Sequence, residues 1–203
     1  MSKSGERGLR FVVVTTNKGK AREFEEIFSK YGLRFRIEPL ETPEVQSMDL
    51  KQVATKSALY AYSVLREPVM VEDAGLFIDA LKGFPGPFSS YVFKTIGIQG
   101  VLKLMEGVKD RRARFKSVLA FYCPLSDSVY TFTGEVEGWI AERPRGTKGF
   151  GFDPIFVPAE GDGRTFGEMD VKEKNEFSHR ARSAEKFAKW FVERYKVIPP
   201  PYE

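Results

Sequence analysis

The order in which strand-like and helix-like segments follow one another constrains the fold of this chain most. Residues Phe11–Thr16 form a continuous β-prone run, which predicts a strand buried on both faces. Asn17 follows as an N-cap, and residues 18–31 place apolar side chains on one face of a predicted helix that Gly32 ends. The sequence therefore predicts a strand-to-helix turn at Asn17.

Strands and helices continue to alternate along the chain, and a long β-hairpin then follows. Asp49 with Gln52 resembles a capping box, which predicts the start of a helix. Two long β-prone runs joined around 124–127 predict a hairpin. The elements predicted after Gly32 are, in order, a strand at 34–37, a helix from 49 to 65, a strand at 69–72 that runs into 73–75 with 76–81 as a continuation, a loop at 83–87, a helical stretch to 105 interrupted at Gly97, strands at 114–122 and 128–139, a loop at 149–154, a strand at 155–157 and a helix from Ser178.

A mixed α/β sheet follows from this order, because helices first alternate with strands and a long hairpin then intervenes. We find no linker, repeat or low-complexity stretch, so residues 1–203 are predicted to form one domain. Flexible tails are predicted at 1–8 and at 197–203, where consecutive prolines exclude a helix or a central strand.

The charge balance favours a small anionic ligand. Lys plus Arg number 32 against 28 Asp plus Glu, which gives a net charge of +4, and the basic residues interleave with Glu rather than forming a block. A phosphorylated small molecule therefore fits better than extended nucleic acid. An ordinary solvated surface of mixed charge explains the same balance equally well.

Composition also bears on the compartment. The one Cys cannot form an internal disulfide, and no apolar run reaches the roughly 20 residues needed to span a bilayer. A cytoplasmic protein without a membrane anchor is predicted. Asn and His are scarce while Glu, Lys and Arg are abundant, which is a tendency of hyperthermophile proteins.

The predicted strand-to-helix turn carries the first candidate site. Hydroxyls, an amide, a glycine and two lysines follow one another over Thr15–Lys20, where the N–H groups of a helix start would point outward. This arrangement is typical of phosphate binding, although the spacing is not that of a Walker A loop. The alternative is an ordinary capped helix whose lysines face solvent.

Two adjacent carboxylates, Glu72 and Asp73, end the third predicted strand. Adjacent side chains in a strand point to opposite faces, so only one of them can enter a given cleft. That carboxylate could bind Mg²⁺ or accept a proton from water, with Glu41 or Glu44 supplying a second ligand. The alternative is a carboxylate that caps neighbouring N–H groups.

Two further segments carry polar or aromatic side chains in unusual settings. Phenylalanines among glycines at 149–154 suit an exposed aromatic platform for a flat base, or alternatively a packing loop. Ser178 as N-cap would place His179 and Arg180 in the first helical turn, where cations are unfavourable without an anion unless that turn is solvated. No zinc spacing or catalytic triad accompanies the single His, so magnesium with oxygen ligands fits better.

Taken together, these segments resemble the inosine triphosphate pyrophosphatase family over Phe11 to about Val192. The motifs that carry the resemblance are Thr15-Thr16-Asn17-Lys18-Gly19-Lys20, Pro43-Glu44-Val45-Gln46, Val71-Glu72-Asp73-Ala74-Gly75-Leu76, Gly83-Phe84-Pro85-Gly86, Gly149-Phe150-Gly151-Phe152-Asp153-Pro154, and Glu173-Lys174-Asn175 leading into Ser178-His179-Arg180. Each motif is weak alone, and their common order makes the resemblance specific.

The resemblance implies a mixed, elongated sheet flanked by two lobes with a nucleotide cleft between them, and a homodimer. It implies hydrolysis of deaminated purine nucleoside triphosphates (ITP, dITP, XTP) between the α- and β-phosphates, with Mg²⁺ or Mn²⁺ as cofactor. It also implies that Asp73 is the base for the attacking water and that Glu44 and Asp73 hold the metal. The residues that would contact substrate are Thr15, Thr16, Asn17, Lys18, Gly19, Lys20, Lys56, Ala74, Phe150, Gly151, Phe152, Asp153, Lys174, His179 and Arg180.

Two departures from the family pattern bear on local contacts. Ala74 stands where the family usually has Ser, and Phe152 replaces a common Tyr or Trp. We expect activity to survive both, since neither removes a charge. Arg180 is expected to reach over the cleft mouth and donate to the 6-oxo group of the base. The competing hypotheses are a pyrophosphatase for modified pyrimidine or methylated nucleotides, and a basic nucleic-acid-binding module.

Overall fold

Seven strands form one sheet in the part of the chain that the computed structural model describes, residues 9–43 and 45–195. The strands are β1 (Phe11–Val14), β2 (Phe35–Glu38), β3 (Val69–Ile78), β4 (Pro85–Gly86), β5 (Arg112–Cys123), β6 (Ser128–Ile140) and β7 (Phe156–Pro158). Their order is β2-β1-β3-β5-β6-β7, with β4 paired to β3. The predicted tails at 1–8 and 197–203 lie outside the described residues.

The sheet is mixed, as predicted. β1 pairs in parallel with β2 and β3, whereas β3, β5, β6 and β7 pair antiparallel in succession. The helices are α1 (Lys18–Ser29), α2 (Leu50–Leu65), α3 (Ser89–Thr95), α4 (Gly97–Leu104), α5 (Val171–Asn175) and α6 (His179–Tyr195), with 3₁₀ turns at Asp79–Leu81, Asp153–Ile155 and Phe166–Glu168. No helix of the described residues is long and apolar enough to cross a membrane.

Three apolar clusters hold the helices against the sheet. The first is rich in Phe and packs α1 and α6 on one face, while the second packs α2 with Val12 and Val14 of β1. The third joins α3 and α4 to the far half of β3 and to β5. The side chains on both faces of β1 are therefore buried, which confirms the predicted two-faced strand over Phe11–Val14. The prediction extended two residues too far, since Thr15 and Thr16 lie outside the strand.

Local signals placed most helix boundaries correctly. The Asn17 side chain caps α1, the inner face of α1 buries Phe24, Ile27 and Phe28, and Ser178 caps α6. The predicted Asp49–Gln52 capping box is wrong. Asp49 does accept from the Lys51 N–H at 2.9 Å, but Gln52 accepts from the Ser47 hydroxyl at 3.1 Å instead of reaching back to the Asp49 N–H.

The third strand runs on through Asp73 to Ile78. The predicted continuation at 76–81 is therefore confirmed as far as Ile78, whereas the placement of Glu72 and Asp73 at the end of the strand is wrong. β5 pairs with it over its whole length, from Val69 opposite Tyr122 to Ile78 opposite Ala113. The parallel ladder between β1 and β3 stops at Val71, however. Glu72 and Asp73 thus lie just beyond the carboxyl end of the parallel part of the sheet, where α/β proteins place ligands.

Candidate active site

A cavity of about 840 Å³ opens where β1 ends and β3 continues without it. It is lined by residues of all four segments that the sequence singled out. The predicted site residues on its wall are Thr15, Thr16, Asn17, Lys20, Asp73, Ala74, Phe150, Gly151, Phe152, Asp153, Lys174, His179 and Arg180. Tertiary structure therefore brings together groups that are up to 165 positions apart, from Thr15 to Arg180.

Three predicted residues are placed differently, and a fourth lies outside the described residues. Lys18 and Lys56 are exposed and do not line the cavity, to which α2 contributes Val53 and Ser57 instead. Gly19 packs under the Phe150 ring, where a Cβ atom would collide with two ring carbons. Glu44 lies outside the described residues.

The start of α1 presents side chains rather than free N–H groups to the cavity. Asn17 Oδ1 accepts from the N–H groups of Gly19 at 2.8 Å and Lys20 at 3.1 Å. These two N–H groups are therefore already capped within the chain. The Thr15 and Thr16 side chains and the Lys20 ammonium remain as the polar groups that this turn can offer to a phosphate.

Six side chains of alternating charge form a largely buried ion-pair chain at the cavity: Lys20, Glu72, Arg180, Glu23, Lys174 and Asp153. All of them except Glu23 line the cavity. Lys20 Nζ lies 2.8 Å from Glu72 Oε2, and Arg180 Nη2 lies 3.2 Å from Glu72 Oε1. Arg180 Nη1 lies 2.5 Å from Glu23 Oε2. Lys174 Nζ closes the sequence at 2.8 Å from Glu23 and 2.7 Å from Asp153.

The formal charges of this ion-pair chain sum to zero, which explains how it tolerates burial. Burial raises the pKa of the Glu72 carboxyl, but Arg180 and Lys20 more than offset this and hold it far below its usual range. The same balance, with Lys174 and Arg180, lowers the pKa of Glu23. Burial raises the pKa of Asp153 despite its ion pair with Lys174.

Arg180 does not reach over the cleft mouth, so that expectation is wrong. The residue is 1 % exposed and lies in the cavity floor between Glu23 and Glu72. The alternative of a solvated first turn of α6 is equally wrong, because His179 is also buried. Two carboxylates supply the negative charge that cations at a helix start require.

The loop 149–154 is only partly the exposed platform that its sequence suggested. Phe152 is buried and packs edge-on against Phe93 at 5.5 Å. Phe150 is half-buried, and its ring lies 4.8 Å from Lys174 Nζ and 5.3 Å from Arg180 Cζ, within range of cation–π attraction. Asp153 Oδ2 accepts from the Phe150 N–H at 2.9 Å and thereby fixes this ring over the cations.

Residues 11–190 match the family model described as the Ham1 family. This chain belongs to the Ham1 family. It is 54 % identical over 181 residues to a "dITP/XTP pyrophosphatase" of Hyperthermus butylicus, covering 88 % of this chain and 93 % of that protein. A "dITP/XTP pyrophosphatase" of Methanopyrus kandleri is 49 % identical over 90 % of this chain and 96 % of its own length.

Solved structures agree with this membership in the Ham1 family. A HAM1 protein from Coxiella burnetii superposes with a TM-score of 0.79 at 32 % identity, over 91 % of this chain and 99 % of the other. The family resemblance carried by the six motifs and the mixed α/β fold predicted from the order of elements are thereby confirmed.

Sequence reasoning about this Ham1 family member missed two features of the cavity. The first is Glu23, which forms ion pairs with Lys174 and Arg180. The sequence feature that could have indicated it is a carboxylate that falls beside Phe24 on the buried face of α1. The wall formed by α3 contributes Ser89, Ser90, Phe93 and Lys94. No motif marks these α3 residues, since their approach to the cavity depends on how α3 packs on β3.

The carboxylates at the cavity suit a magnesium ion that takes most of its ligands from water and from the phosphates of a bound substrate. No three Asp, Glu, His or Cys side chains within the described ranges converge as a metal cluster. Glu72 is engaged by two cations, whereas half-buried Asp73 and exposed Glu41 also line the wall. Mg²⁺ commonly takes one or two carboxylates and completes its shell with water and substrate phosphates, so a sparse set of oxygen donors suits it.

His179 is held as a neutral ring. It stacks on Phe115 with centroids 4.7 Å apart and rings 13° from parallel, and its Nδ1 makes no hydrogen bond within residues 9–43 and 45–195. Burial, with Arg180 and Lys174 nearby, lowers the pKa of His179 well below its ordinary 6.5. A neutral imidazole on the cavity wall can act as a hydrogen-bond donor at one nitrogen and an acceptor at the other.

The free energy of unfolding is expected to fall by up to about 2 kcal/mol between pH 7 and pH 5 because of His179. The unfolded chain protonates this His near its ordinary pKa, whereas the folded chain does not until a lower pH. Because the unfolded state binds more protons than the folded state between pH 7 and pH 5, the free energy of unfolding falls as the pH falls. Guanidinium unfolding at both pH values checks this, with His179→Phe as the variant that keeps the ring but cannot titrate. The same pH dependence in both proteins would contradict a neutral buried imidazole.

Proposed function

We propose that this chain hydrolyses deaminated purine nucleoside triphosphates, such as dITP, ITP and XTP, to the nucleoside monophosphate and pyrophosphate. The single observation that carries the proposal is one cavity that joins Lys20, Asp73 and the Phe150 ring over Lys174 and Arg180. Cations suit a triphosphate, a carboxylate suits activation of water, and an aromatic face suits a purine. Two relatives that bear the name dITP/XTP pyrophosphatase align with this chain over nearly their whole length.

The residues at the phosphate end have distinct roles in this proposal. Thr15, Thr16 and Lys20 bind the triphosphate, while Lys18 and Lys56, which are exposed and outside the cavity lining, attract it by charge. Asp73 accepts the proton of the attacking water, and Asp73 with Glu44 holds Mg²⁺. A bound Mg²⁺ supplies charge stabilisation for the triphosphate and the leaving pyrophosphate. Fixed cations on the protein add to that stabilisation without reorganising.

Base selection is assigned to the other end of the cavity. A 6-oxo purine offers an acceptor where adenine offers an amino donor. Where a hydrogen-bond donor on the cavity wall faces the amino group of adenine, two donors meet and neither forms a hydrogen bond. Each buried donor left unpaired in this way weakens binding by about 1–3 kcal/mol. Arg180, neutral His179 and the Lys174 ammonium are the donors that line this part of the cavity.

A panel of nucleotides tests the proposed function. We expect pyrophosphate release from dITP, ITP and XTP with kcat/KM at least about 100-fold above that for dATP, ATP and dGTP. Mg²⁺ or Mn²⁺ should support this activity, and EDTA should abolish it. Faster turnover of methylated or modified pyrimidine nucleotides would instead favour the alternative substrate class, and salt-sensitive RNA binding without turnover would favour a nucleic-acid module.

We also infer a cytoplasmic homodimer, as the family resemblance implies. Exposed apolar side chains on and before α3, among them Phe84, Phe88 and Tyr91, form a surface on which two copies can pack. Light scattering on the purified protein measures the oligomeric state. A monomer at micromolar concentration, or a dimer that Tyr91→Glu leaves intact, would argue against this surface.

A further inference from the structure

Glu72 joins Lys20 to Arg180 in the ion-pair chain and makes further hydrogen bonds besides these two ion pairs. Its Oε2 pairs with Lys20 Nζ at 2.8 Å, and its Oε1 pairs with Arg180 at 3.2 Å and accepts from the Ser117 hydroxyl at 2.7 Å. Its backbone carbonyl accepts a second hydrogen bond from Lys20 Nζ at 3.0 Å. Lys20 is therefore anchored twice by this one residue.

These contacts leave Glu72 poorly suited to a metal, although it adjoins Asp73. Both carboxylate oxygens already face cations, and the side chain is 1 % exposed. Alternation along β3 turns the two neighbours to opposite faces of the sheet, with Glu72 opposite Leu119 and Asp73 opposite Val118 on β5. The adjacent carboxylates thus serve different partners.

We propose that Glu72 is a positioning residue for the reaction, which holds Lys20 and Arg180 in place for the nucleotide and does not bind the metal ion. This inference rests on the proposed function and assigns a role to a residue that the six motifs left without one. Lys20 carries the charge toward the triphosphate, and Glu72 determines where that charge stands.

The directions in which anion binding and turnover change on removal of the Glu72 charge distinguish a positioning residue from a metal ligand or a merely structural residue. Glu72→Gln keeps the side-chain shape but changes the formal charge of the ion-pair chain from zero to +1. A cavity floor with an extra positive charge attracts an anion more strongly. Lys20 and Arg180, however, lose the partner that orients them, so stabilisation of the transition state decreases. Binding should tighten while turnover slows.

We therefore expect Glu72→Gln to lower kcat for dITP by about 30-fold or more while KM stays equal or falls. The affinity for inorganic tripolyphosphate in EDTA, measured by calorimetry, should increase about two- to tenfold. The Mg²⁺ concentration for half-maximal turnover should stay within about twofold of the parent. Glu67→Gln is the matched control, since Glu67 precedes the same strand but pairs with Arg36 on the surface.

The same measurements define what would overturn the proposal. A Mg²⁺ requirement raised about tenfold would make Glu72 a metal ligand, and unchanged or weaker tripolyphosphate binding would leave it a merely structural role. Circular dichroism checks the fold. If Glu72→Gln does not fold, Glu72→Gln with Lys20→Met restores charge balance. Its kcat should be about three- to tenfold below that of Lys20→Met alone, since only the positioning of Arg180 is then lost. A loss outside this range would also overturn the proposal.

Failure of the proposed function is distinguishable from failure of this inference. If the parent protein releases no pyrophosphate from dITP or XTP, the function is wrong. The tripolyphosphate measurement needs no turnover and still decides whether Glu72 restrains the cations of the cavity floor.

Discussion

Asp73→Asn is expected to lower kcat for dITP by about 10³-fold or more in a protein that remains folded. Asn keeps the shape of the side chain but can neither accept the proton of the attacking water nor offer a charged oxygen to Mg²⁺. The half-buried position of Asp73 on the cavity wall, beyond the last parallel pairing of β3, is the reason for choosing it. Pyrophosphate release at saturating dITP and Mg²⁺ measures the effect.

Asp79→Asn is the matched control for this prediction. Asp79 follows the same strand and forms a loose pair with Arg114 at 3.7 Å on the surface, so its loss should change turnover by less than about twofold. Asp73→Asn activity within tenfold of the parent, with an unchanged circular dichroism spectrum, would show that the base lies elsewhere.

The second large effect is expected in stability. Arg180→Ala should lower the free energy of unfolding by about 3–5 kcal/mol, because it leaves Glu23 and Glu72 buried with one cation fewer. Guanidinium unfolding at pH 7 measures this difference. Arg182→Ala on the same helix removes an exposed pair with Glu160 and should change stability by less than about 1 kcal/mol. Equal effects of the two substitutions would mean that the ion-pair chain does not stabilise the fold.

The same Arg180→Ala variant tests base selection at a temperature where it stays folded. If Arg180 donates to the 6-oxo group, kcat/KM for ITP should fall by about 10- to 200-fold and that for ATP far less. Discrimination between the two nucleotides should then shrink. Equal losses for ITP and ATP would exclude base readout and leave Arg180 a part of the charged floor.

Local chemistry in the sequence was sufficient for the caps, the helix faces and the strand composition. Asn17 and Ser178 cap their helices because the acceptor and the N–H groups lie within three residues of each other. The alternation that sends Glu72 and Asp73 to opposite faces is likewise a property of any strand. Six short motifs in order were enough to identify the family.

Tertiary structure alone decided the pairing that carries β3 unbroken through Asp73, and the burial and ion pairing of the charged residues. β3 continues through Asp73 because β5, about 45 residues later in the chain, pairs with it throughout. Arg180 is buried rather than solvated because Glu23, which is 157 residues away in sequence, meets it across the packed helices α1 and α6. Ion pairing at such separation depends on how helices pack on a sheet, and no local pattern encodes it. The sequence by itself thus determined which chemical groups the site contains, and the fold determined which of them face the ligand and which hold one another.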